Sequence, residues 1–285
     1  MASWQAHAMV LLLKATVKRK LRRATDPHAA RAALQAGTDD PVGKDSVGGV
    51  RGEWLGAPGA PRTLLYLHGG GYFACSSRTH RPVTQALARA GLRVFAADYR
   101  LAPEHPYPAA LDDAVAAYRG LLDTGAGGVV VAGDSAGGGL ALALMLRLRE
   151  LGVTLPARAA LFSPWTDLAA TGESIRRNTR RDAMFTGEGI APGADAYVGG
   201  ADRRDPLISP LYGDFTGLPP LLVHVGADEV LLDDSTRLAE RARAAGVVVE
   251  LKVWPVVPHV WQIMARFIPE GRQSLDAAAR FLLAH

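Results

Sequence analysis

The sequence predicts an α/β fold with a mostly parallel central sheet flanked by helices, and three observations indicate it. Short apolar runs alternate with helix-forming stretches from about residue 83 onward, a pattern typical of parallel strands joined by helices. Some runs, such as that at 128–132, are continuously apolar, as expected for strands covered on both faces. The chain of 285 residues is 48% hydrophobic, enough for one large core. We therefore predict a single domain over residues 1–285.

The predicted strands follow from apolar runs that end at turn-forming residues. They cover residues 46–55, 63–68, 92–99, 128–133, 157–163, 221–226 and 247–254. Strong helix formers fill residues 140–150, and Gly152 is placed to end that helix. More than fifty residues separate the strands that end near 163 and begin near 221. This insertion is too long for an ordinary connection, so we expect it to have structure of its own, with a helix at 189–198.

A serine flanked by glycines follows the apolar run at 128–132. The motif is Gly133-Asp134-Ser135-Ala136-Gly137, and the predicted helix comes after it. Glycines two places before and after the serine permit a sharp turn from strand to helix that exposes the hydroxyl. The sequence therefore predicts Ser135 as a nucleophile. Asp134 is expected to make a supporting hydrogen bond.

A second glycine-rich motif, His68-Gly69-Gly70-Gly71, follows the strand predicted at 63–68. Backbone N–H groups in such a loop are unobstructed by side chains and can face a developing anion. Ala136 begins the helix after the serine, where N–H groups are also free. We therefore predict that Gly69, Gly70 and Ala136 form an oxyanion hole.

A serine nucleophile needs a base, and three histidines follow Ser135 in the chain. His285 is the last residue, where fraying is expected. His224 lies inside an apolar run, which favours a core position, whereas His259 lies in a loop after the last predicted strand. The sequence therefore predicts His259 as the general base.

The carboxylate that orients the base is expected between the serine and the histidine in the chain. Asp228 lies just past the predicted strand 221–226. Asp233 and Asp234 compete for the role, but they precede a helical run and are better explained by capping and by the helix dipole. We predict Asp228 as the triad acid.

These motifs, taken together, resemble those of the bacterial hormone-sensitive-lipase-like esterases of the α/β-hydrolase superfamily. The resemblance extends from about residue 65 to 262 and follows the family order. It is carried by HGGGY at 68–72, DYRLAPEHPYPAALDD at 98–113, GDSAGG at 133–138, SPWTDL at 163–168, GADEVLLDD at 226–234 and PHVW at 258–261.

The resemblance implies the same triad, Ser135, Asp228 and His259, and the same oxyanion donors. It also implies a helical cap over the active site, which we expect at about 1–45 and 170–210, and a scaffolding role for Arg100 and Glu104. Tyr72 and Trp165 are expected to line the substrate pocket. Met184, Phe185 and Tyr197 are expected either to contact the substrate from the cap or to belong to the core of the cap.

The expected activity is hydrolysis of short-acyl carboxylic esters through an acyl-enzyme on Ser135. A lactone hydrolase or a small-molecule deacetylase would use the same residues. An acyltransferase needs no further catalytic residue, and a ligand-binding module is disfavoured because His259 is present. Product analysis with competing alcohols would distinguish a transferase from a hydrolase.

Composition excludes several other classes of function. The net charge of +4 is dispersed and no nucleic-acid motif is present, so we expect no nucleic-acid partner. No Cys/His cluster suggests a metal, and no cofactor is expected. The single cysteine, Cys75, cannot form an intramolecular disulfide, which favours the cytoplasm.

The apolar run at 9–13 is too short to span a bilayer, and the basic residues follow it rather than precede it. We therefore expect neither a secretory signal nor stable membrane insertion. Packing in the cap is favoured over contact with a membrane surface. A homodimer through an exposed strand near 247–254 is left open.

Overall fold

The computed structural model describes residues 2–24, 26–35, 43–125 and 128–284. Its strands, in chain order, are β1 (Asp45–Val47), β2 (Val50–Leu55), β3 (Thr63–Leu67), β4 (Arg93–Ala97), β5 (Val129–Asp134), β6 (Ala159–Phe162), β7 (Leu221–Gly226) and β8 (Val249–Trp254). Its α-helices are α1 (Trp4–Ala15), α2 (Val17–Leu21), α3 (Pro27–Gln35), α4 (Arg81–Arg89), α5 (Ala109–Asp123), α6 (Ala136–Glu150), α7 (Ser174–Arg177), α8 (Ala191–Val198), α9 (Leu232–Ala244) and α10 (Pro269–Leu283).

The strands form one sheet in the order β1-β2-β4-β3-β5-β6-β7-β8. Strands β3 to β8 run parallel to one another. Strand β2 is antiparallel to both of its neighbours, β1 and β4. The predicted α/β fold with a mostly parallel sheet is confirmed. Parallel strands end at a common edge, so the loops after β3, β5, β7 and β8 lie on one side of the molecule.

The first predicted strand, 46–55, is in fact two strands joined by a tight turn. Gly48 and Gly49 occupy this turn with φ of 58° and 80°. A Cβ at Gly48 would lie 2.0 Å from the carbonyl oxygen of Ala116 in α5, so only glycine fits there. The sequence prediction was wrong here because the apolar pattern continues across the turn.

Successive side chains along a strand point to opposite faces of the sheet, and each face is covered by an apolar layer. Leu65 and Leu67 of β3 pack with α5 and α6 on one face. Leu64 and Tyr66 point to the other face and pack with α4 and α10. Helix α6, which begins directly after Ser135, is buried along nearly its whole length. The residue predicted as the nucleophile therefore directly precedes a helix that is enclosed by the rest of the protein.

The predicted helix at 189–198 corresponds to α8 and to the single turn of 3-10 helix before it at 188–190. Strand β8 lies at the edge of the sheet, as the order of strands requires. A homodimer through that edge stays a prediction. His285 and residues 36–42 of the expected cap lie outside the described residues. Within the described ranges, no helix combines the length and apolar character needed to cross a membrane.

The two aspartates after β7 that competed with Asp228 have structural roles. Asp233 accepts a hydrogen bond from the Ser174 N–H at 2.8 Å, and its own N–H donates to the Ser174 hydroxyl. Asp234 is buried and accepts from the N–H groups of Thr166 and Asp167 at 2.7 and 2.8 Å. Both carboxylates lie in the first turn of α9, where the helix dipole favours them, but they bond to other segments rather than cap the helix.

Burial raises the pKa of Asp234 to about 7, and the nearby Asp167 carboxylate adds to the shift. The pKa in the folded chain is therefore above the value of about 3.9 expected in the unfolded chain. The stability that Asp234 contributes is fully present below pH 4 and is lost as the pH rises toward 7. We expect Asp234→Asn to remove this loss. The free energy of unfolding of the variant minus that of the wild type should increase by on the order of 1–3 kcal/mol as the pH rises from 5 to 8. Urea denaturation at each pH measures this difference. A difference that does not change with pH would contradict the prediction.

Candidate active site

Ser135 lies at a sharp turn between β5 and α6. Its backbone has φ of 51° and ψ of −122°, a conformation that costs energy for a residue with a Cβ. The turn is held from both sides, since the Ser135 N–H donates to Phe162 at 2.8 Å and its carbonyl accepts from Trp165 at 2.8 Å. A Cβ at Gly133 would lie 2.3 Å from the Gly137 oxygen, and one at Gly137 would lie 2.1 Å from the Leu67 oxygen. Glycine is therefore required at both flanking positions, as the motif predicted.

His259 lies in the loop after β8 and faces the same cavity as Ser135. Its Nδ1 is 2.6 Å from a carboxylate oxygen of Glu229, and both side chains are buried. A carboxylate can only accept, so in the neutral ring Nδ1 carries the proton and Nε2 keeps its lone pair. Nε2 is buried and has no hydrogen-bond partner among the described residues. The imidazole is thus oriented from behind with its basic nitrogen unengaged.

The structure contradicts the prediction that Asp228 is the carboxylate bonded to His259. The Asp228 side chain is 30% exposed and forms an ion pair with Arg181 at 2.8 Å. Glu229 turns inward instead, because its Oε1 accepts from the Gly226 N–H at 2.6 Å and from the Ser163 hydroxyl at 2.7 Å. Its Oε2 is thereby aimed at the imidazole. The acid is one residue further along the turn than expected.

The electrostatics of this pair favour a protonated imidazole. Burial by itself would lower the pKa of His259, but the Glu229 carboxylate outweighs burial, and the net pKa is raised above its ordinary value. The ring of Phe185 also meets His259 edge-on, with centroids 5.1 Å apart. The imidazole is therefore a stronger base than a free histidine.

The glycine loop after β3 lies directly against the serine turn. A Cβ at Gly69 would be 3.1 Å from the Cβ of Ser135 and 2.2 Å from a carboxylate oxygen of Asp134. Gly70 has φ of 116°, and its carbonyl accepts from Phe73 and Ala74, which directs the carbonyl into the loop. The adjacent parallel strands β3 and β5 thus bring Gly69 of this loop against the nucleophile. The assignment of Gly69, Gly70 and Ala136 as oxyanion donors stays a prediction.

Asp134 supports this arrangement rather than facing the reacting atoms. One oxygen accepts from the Tyr66 hydroxyl at 2.6 Å, and the other is 3.1 Å from Nε2 of His80. Burial alone would raise the pKa of Asp134, but these two partners reverse the shift and lower it. The carboxylate therefore stays ionised, and it lies against Gly69 of the loop.

The scaffold residues predicted from the resemblance lie outside the cavity wall. Arg100 forms an ion pair with Asp113 at 2.8 Å, and Glu104 pairs with Arg31 at 2.6 Å. Arg31 also donates to the carbonyl of Phe73, which ties α3 to the segment after the glycine loop. These contacts hold loops in place.

A cavity of about 320 Å³ opens above Ser135 and His259. Of the five predicted pocket residues, Trp165, Met184 and Phe185 line it. Tyr72 and Tyr197 do not. The pocket prediction for Tyr72 was wrong, whereas Tyr197 takes its alternative place in the apolar core. Their rings stack on each other with centroids 3.8 Å apart, and both are buried in the core.

Sequence reasoning missed part of the cavity wall. Leu13, Val17 and Leu21 contribute from α1 and α2, and Phe73 contributes from the loop after the glycines. The four-residue spacing of these three aliphatic residues was the available signal, since it places them on one helical face. In the structure, the N-terminal helices therefore form part of the cavity wall.

Cys75 lines the cavity, but burial raises the pKa of its thiol to about 12, so the reactive thiolate is scarce near neutral pH. Among the described ranges, no three His, Cys, Asp or Glu side chains are grouped to hold a metal ion.

Comparison with known proteins shows that the chain is similar to esterases and acetyl-hydrolases. The family described as alpha/beta hydrolase fold matches residues 64–263. An acetyl-hydrolase of Streptomyces hygroscopicus is 46% identical over 241 residues, which are 83% of this chain and 81% of the relative. An esterase of Acinetobacter venetianus is 37% identical over 290 residues, covering 98% and 96%.

Solved structures match over nearly the whole chain. EstE5, in a crystal soaked with p-nitrophenyl butyrate, has a TM-score of 0.89 and 38% identity, covering 99% of this chain and 98% of its own. An esterase from the bacterial hormone-sensitive lipase family has a TM-score of 0.88 and 42% identity, again covering 99% and 98%.

Proposed function

This chain belongs to the bacterial hormone-sensitive-lipase-like esterases of the α/β-hydrolase family, and we propose that it hydrolyses carboxylic esters with Ser135, His259 and Glu229 as its triad. It is a carboxylic ester hydrolase. The observation that carries the assignment of residues is the 2.6 Å contact between His259 and Glu229. It leaves the opposite imidazole nitrogen unengaged in the cavity that Ser135 also lines.

In the first half-reaction, Nε2 of His259 takes the proton of the Ser135 hydroxyl as Oγ attacks the ester carbonyl carbon. The carbonyl oxygen becomes an anion, and the N–H groups of Gly69, Gly70 and Ala136 stabilise it. Glu229 stabilises the imidazolium. The imidazolium then protonates the departing alcohol as the C–O bond breaks, which leaves the acyl group on Ser135.

Water completes the second half-reaction by the same groups. Nε2 of His259 takes a proton from water as the oxygen attacks the acyl carbon, and the new anion occupies the same oxyanion hole. Collapse of the intermediate releases the carboxylic acid and returns the proton to Ser135. No cofactor takes part in either step of this proposal.

The apolar cavity supports short-acyl esters as substrates. A volume of about 320 Å³ is at the lower end of small-molecule pockets, and its wall includes Phe73, Met184 and Phe185. The names of the relatives agree with small acyl groups, since one is an acetyl-hydrolase. We propose that the N-terminal helices and the segment at about 170–210, in particular its residues around 184–193, act as the cap. We also propose that the protein works in the cytoplasm.

Covalent labelling tests the proposed nucleophile. Diethyl p-nitrophenyl phosphate should transfer one diethylphosphoryl group to Ser135 and abolish hydrolysis of p-nitrophenyl butyrate. Peptide mass spectrometry should locate the added mass on the peptide that contains Ser135. Full inhibition with the label on another residue, or no inhibition at stoichiometric labelling, would overturn the proposal.

The pH dependence of kcat/KM follows from the shift at His259. The base acts only when neutral, and its raised pKa keeps it protonated to higher pH. We therefore expect the acid limb for p-nitrophenyl acetate to have its midpoint above the ordinary histidine value of about 6.5. A midpoint below that value, in an enzyme stable over the range, would contradict the geometry described.

A further inference from the structure

Helix α1 presents an apolar face to solvent. Trp4, Leu11 and Leu12 are 76%, 68% and 55% exposed. Trp4, Ala8, Leu11 and Ala15 follow helical spacing, so they share one side of the helix with Leu12 at its margin. Large apolar side chains grouped in this way are unusual on a protein surface without a partner.

The other side of α1 is anchored to the protein. Ala6 and Leu13 are buried, and Met9 packs against the apolar cluster that contains Trp254 and Trp261. The N-terminus of the helix is capped by the Ser3 hydroxyl, and Ser3 in turn bonds to Glu270 of α10. The exposed apolar face therefore belongs to a fixed helix.

The residues that follow α1 in the chain are cationic. Residues 1–25 contain six lysines and arginines and no aspartate or glutamate. The exposed members are Arg19, Lys20, Arg22 and Arg23, in and directly after α2. Lys18 is already engaged, since its ammonium donates to the carbonyls of Thr179 and Asp182. An apolar face beside several exposed cations matches the surface of an anionic bilayer.

The same helical segment also walls the catalytic cavity through Leu13, Val17 and Leu21. Its inner side therefore contacts the substrate site, and its outer side is the apolar and cationic surface. We propose that the outer face of α1, with the cations of α2, docks on anionic phospholipid membranes. Docking would place the cavity wall beside the layer in which amphiphilic esters concentrate. Binding to lipid does not depend on the triad.

Vesicle flotation tests the docking directly. The wild type should float with vesicles of phosphatidylcholine and phosphatidylglycerol at low salt, and at least tenfold less with phosphatidylcholine alone. Leu11→Ser/Leu12→Ser should reduce the partition coefficient at least tenfold. The matched control is Val248→Ser. Val248 is apolar and 64% exposed but lies outside α1 and α2, so this variant should bind vesicles as the wild type does.

A charge-matched pair separates specific cations from net charge. Arg19→Gln/Lys20→Gln should weaken binding to the anionic vesicles several-fold, whereas Arg89→Gln/Arg119→Gln, which removes two exposed charges from α4 and α5, should change it little. Trp4 is the only strongly exposed tryptophan of the five, all of which lie in described residues. Its emission should shift to the blue on binding, and the shift should be absent in Trp4→Phe.

Leu11 and Leu12 do not line the cavity, so hydrolysis of p-nitrophenyl butyrate by the double variant should match the wild type and shows that it is folded. Ser135→Ala should float as the wild type does, which separates this proposal from the catalytic one. Equal flotation of the wild type and Leu11→Ser/Leu12→Ser would overturn the proposal. So would a dimer in sedimentation that becomes a monomer in that variant without any lipid binding, since the face would then be covered by a second copy.

Discussion

Ser135→Ala is expected to lower kcat for p-nitrophenyl butyrate by about 10⁵–10⁶, the scale seen when the nucleophile of a comparable triad is removed. Without Oγ, no acyl-enzyme forms, and His259 has no hydroxyl to activate. A residual rate above water is expected because the backbone N–H groups at Gly69, Gly70 and Ala136 remain. Substrate affinity should change little, since the cavity wall is intact. Initial rates with purified enzyme measure the effect.

The control for this variant is a measurement of thermal stability, which tests whether the turn at residue 135 is still folded. Alanine keeps the Cβ at φ of 51°, so the melting temperature of Ser135→Ala should stay close to the wild type. Ser135→Gly should be equally inactive but more stable, because glycine adopts positive φ without strain. Cys75→Ser serves as a second control and should retain hydrolysis. Activity of Ser135→Ala within tenfold of the wild type would contradict the assignment.

The serine turn could be predicted from the sequence because it is specified locally. The continuous apolar run before Gly133 defines a buried strand, and the helix formers after Gly139 define α6. The close approaches at Gly133 and Gly137 are set by the turn and by the neighbouring strand. Strand, turn and helix lie within some twenty residues, so pattern and chemistry point to the same geometry.

The residues that the sequence misplaced depend on contacts between distant segments. Tyr72 follows the glycine loop, where a pocket residue was reasonable, but its ring stacks on Tyr197 from α8. Cap packing was predicted only for the apolar run at 9–13, and no role was predicted for Val17 and Leu21. Their position in the cavity wall depends on how α2 is held against the loop at 179–182. No local pattern encodes which of several apolar residues faces a cavity rather than a neighbour.

The acid was misplaced by one residue for a similar reason. Asp228 and Glu229 are adjacent after β7, and either carboxylate can accept a hydrogen bond from the imidazole N–H. The choice is made by the turn, because the Gly226 N–H and the Ser163 hydroxyl, which comes from the end of β6, hold Glu229 inward. The longer glutamate side chain then spans the distance to His259. The sequence determines that an acid follows β7 but not which of the two is turned inward.

Glu229→Gln is therefore expected to lower kcat by about 10⁴ with little change in KM, as in a protease whose triad aspartate becomes asparagine. The glutamine amide can donate to Nδ1 of His259, which places the ring proton on Nε2 and leaves no base facing Ser135. The stabilising charge beside the imidazolium is lost as well. The acid limb of the residual kcat/KM should also move to lower pH, because Glu229 is what raises the pKa of His259.

Asp228→Asn is the matched control, since it makes the same chemical change one residue earlier in the same turn. It removes only an ion pair with Arg181 whose aspartate is 30% exposed, and exposed pairs of this kind contribute about 0–1 kcal/mol. Its kcat should stay within a few-fold of the wild type. If Asp228→Asn were inactive and Glu229→Gln active, both folded by circular dichroism, the carboxylate of the triad would be Asp228. The inward turn of Glu229 would then have no part in catalysis.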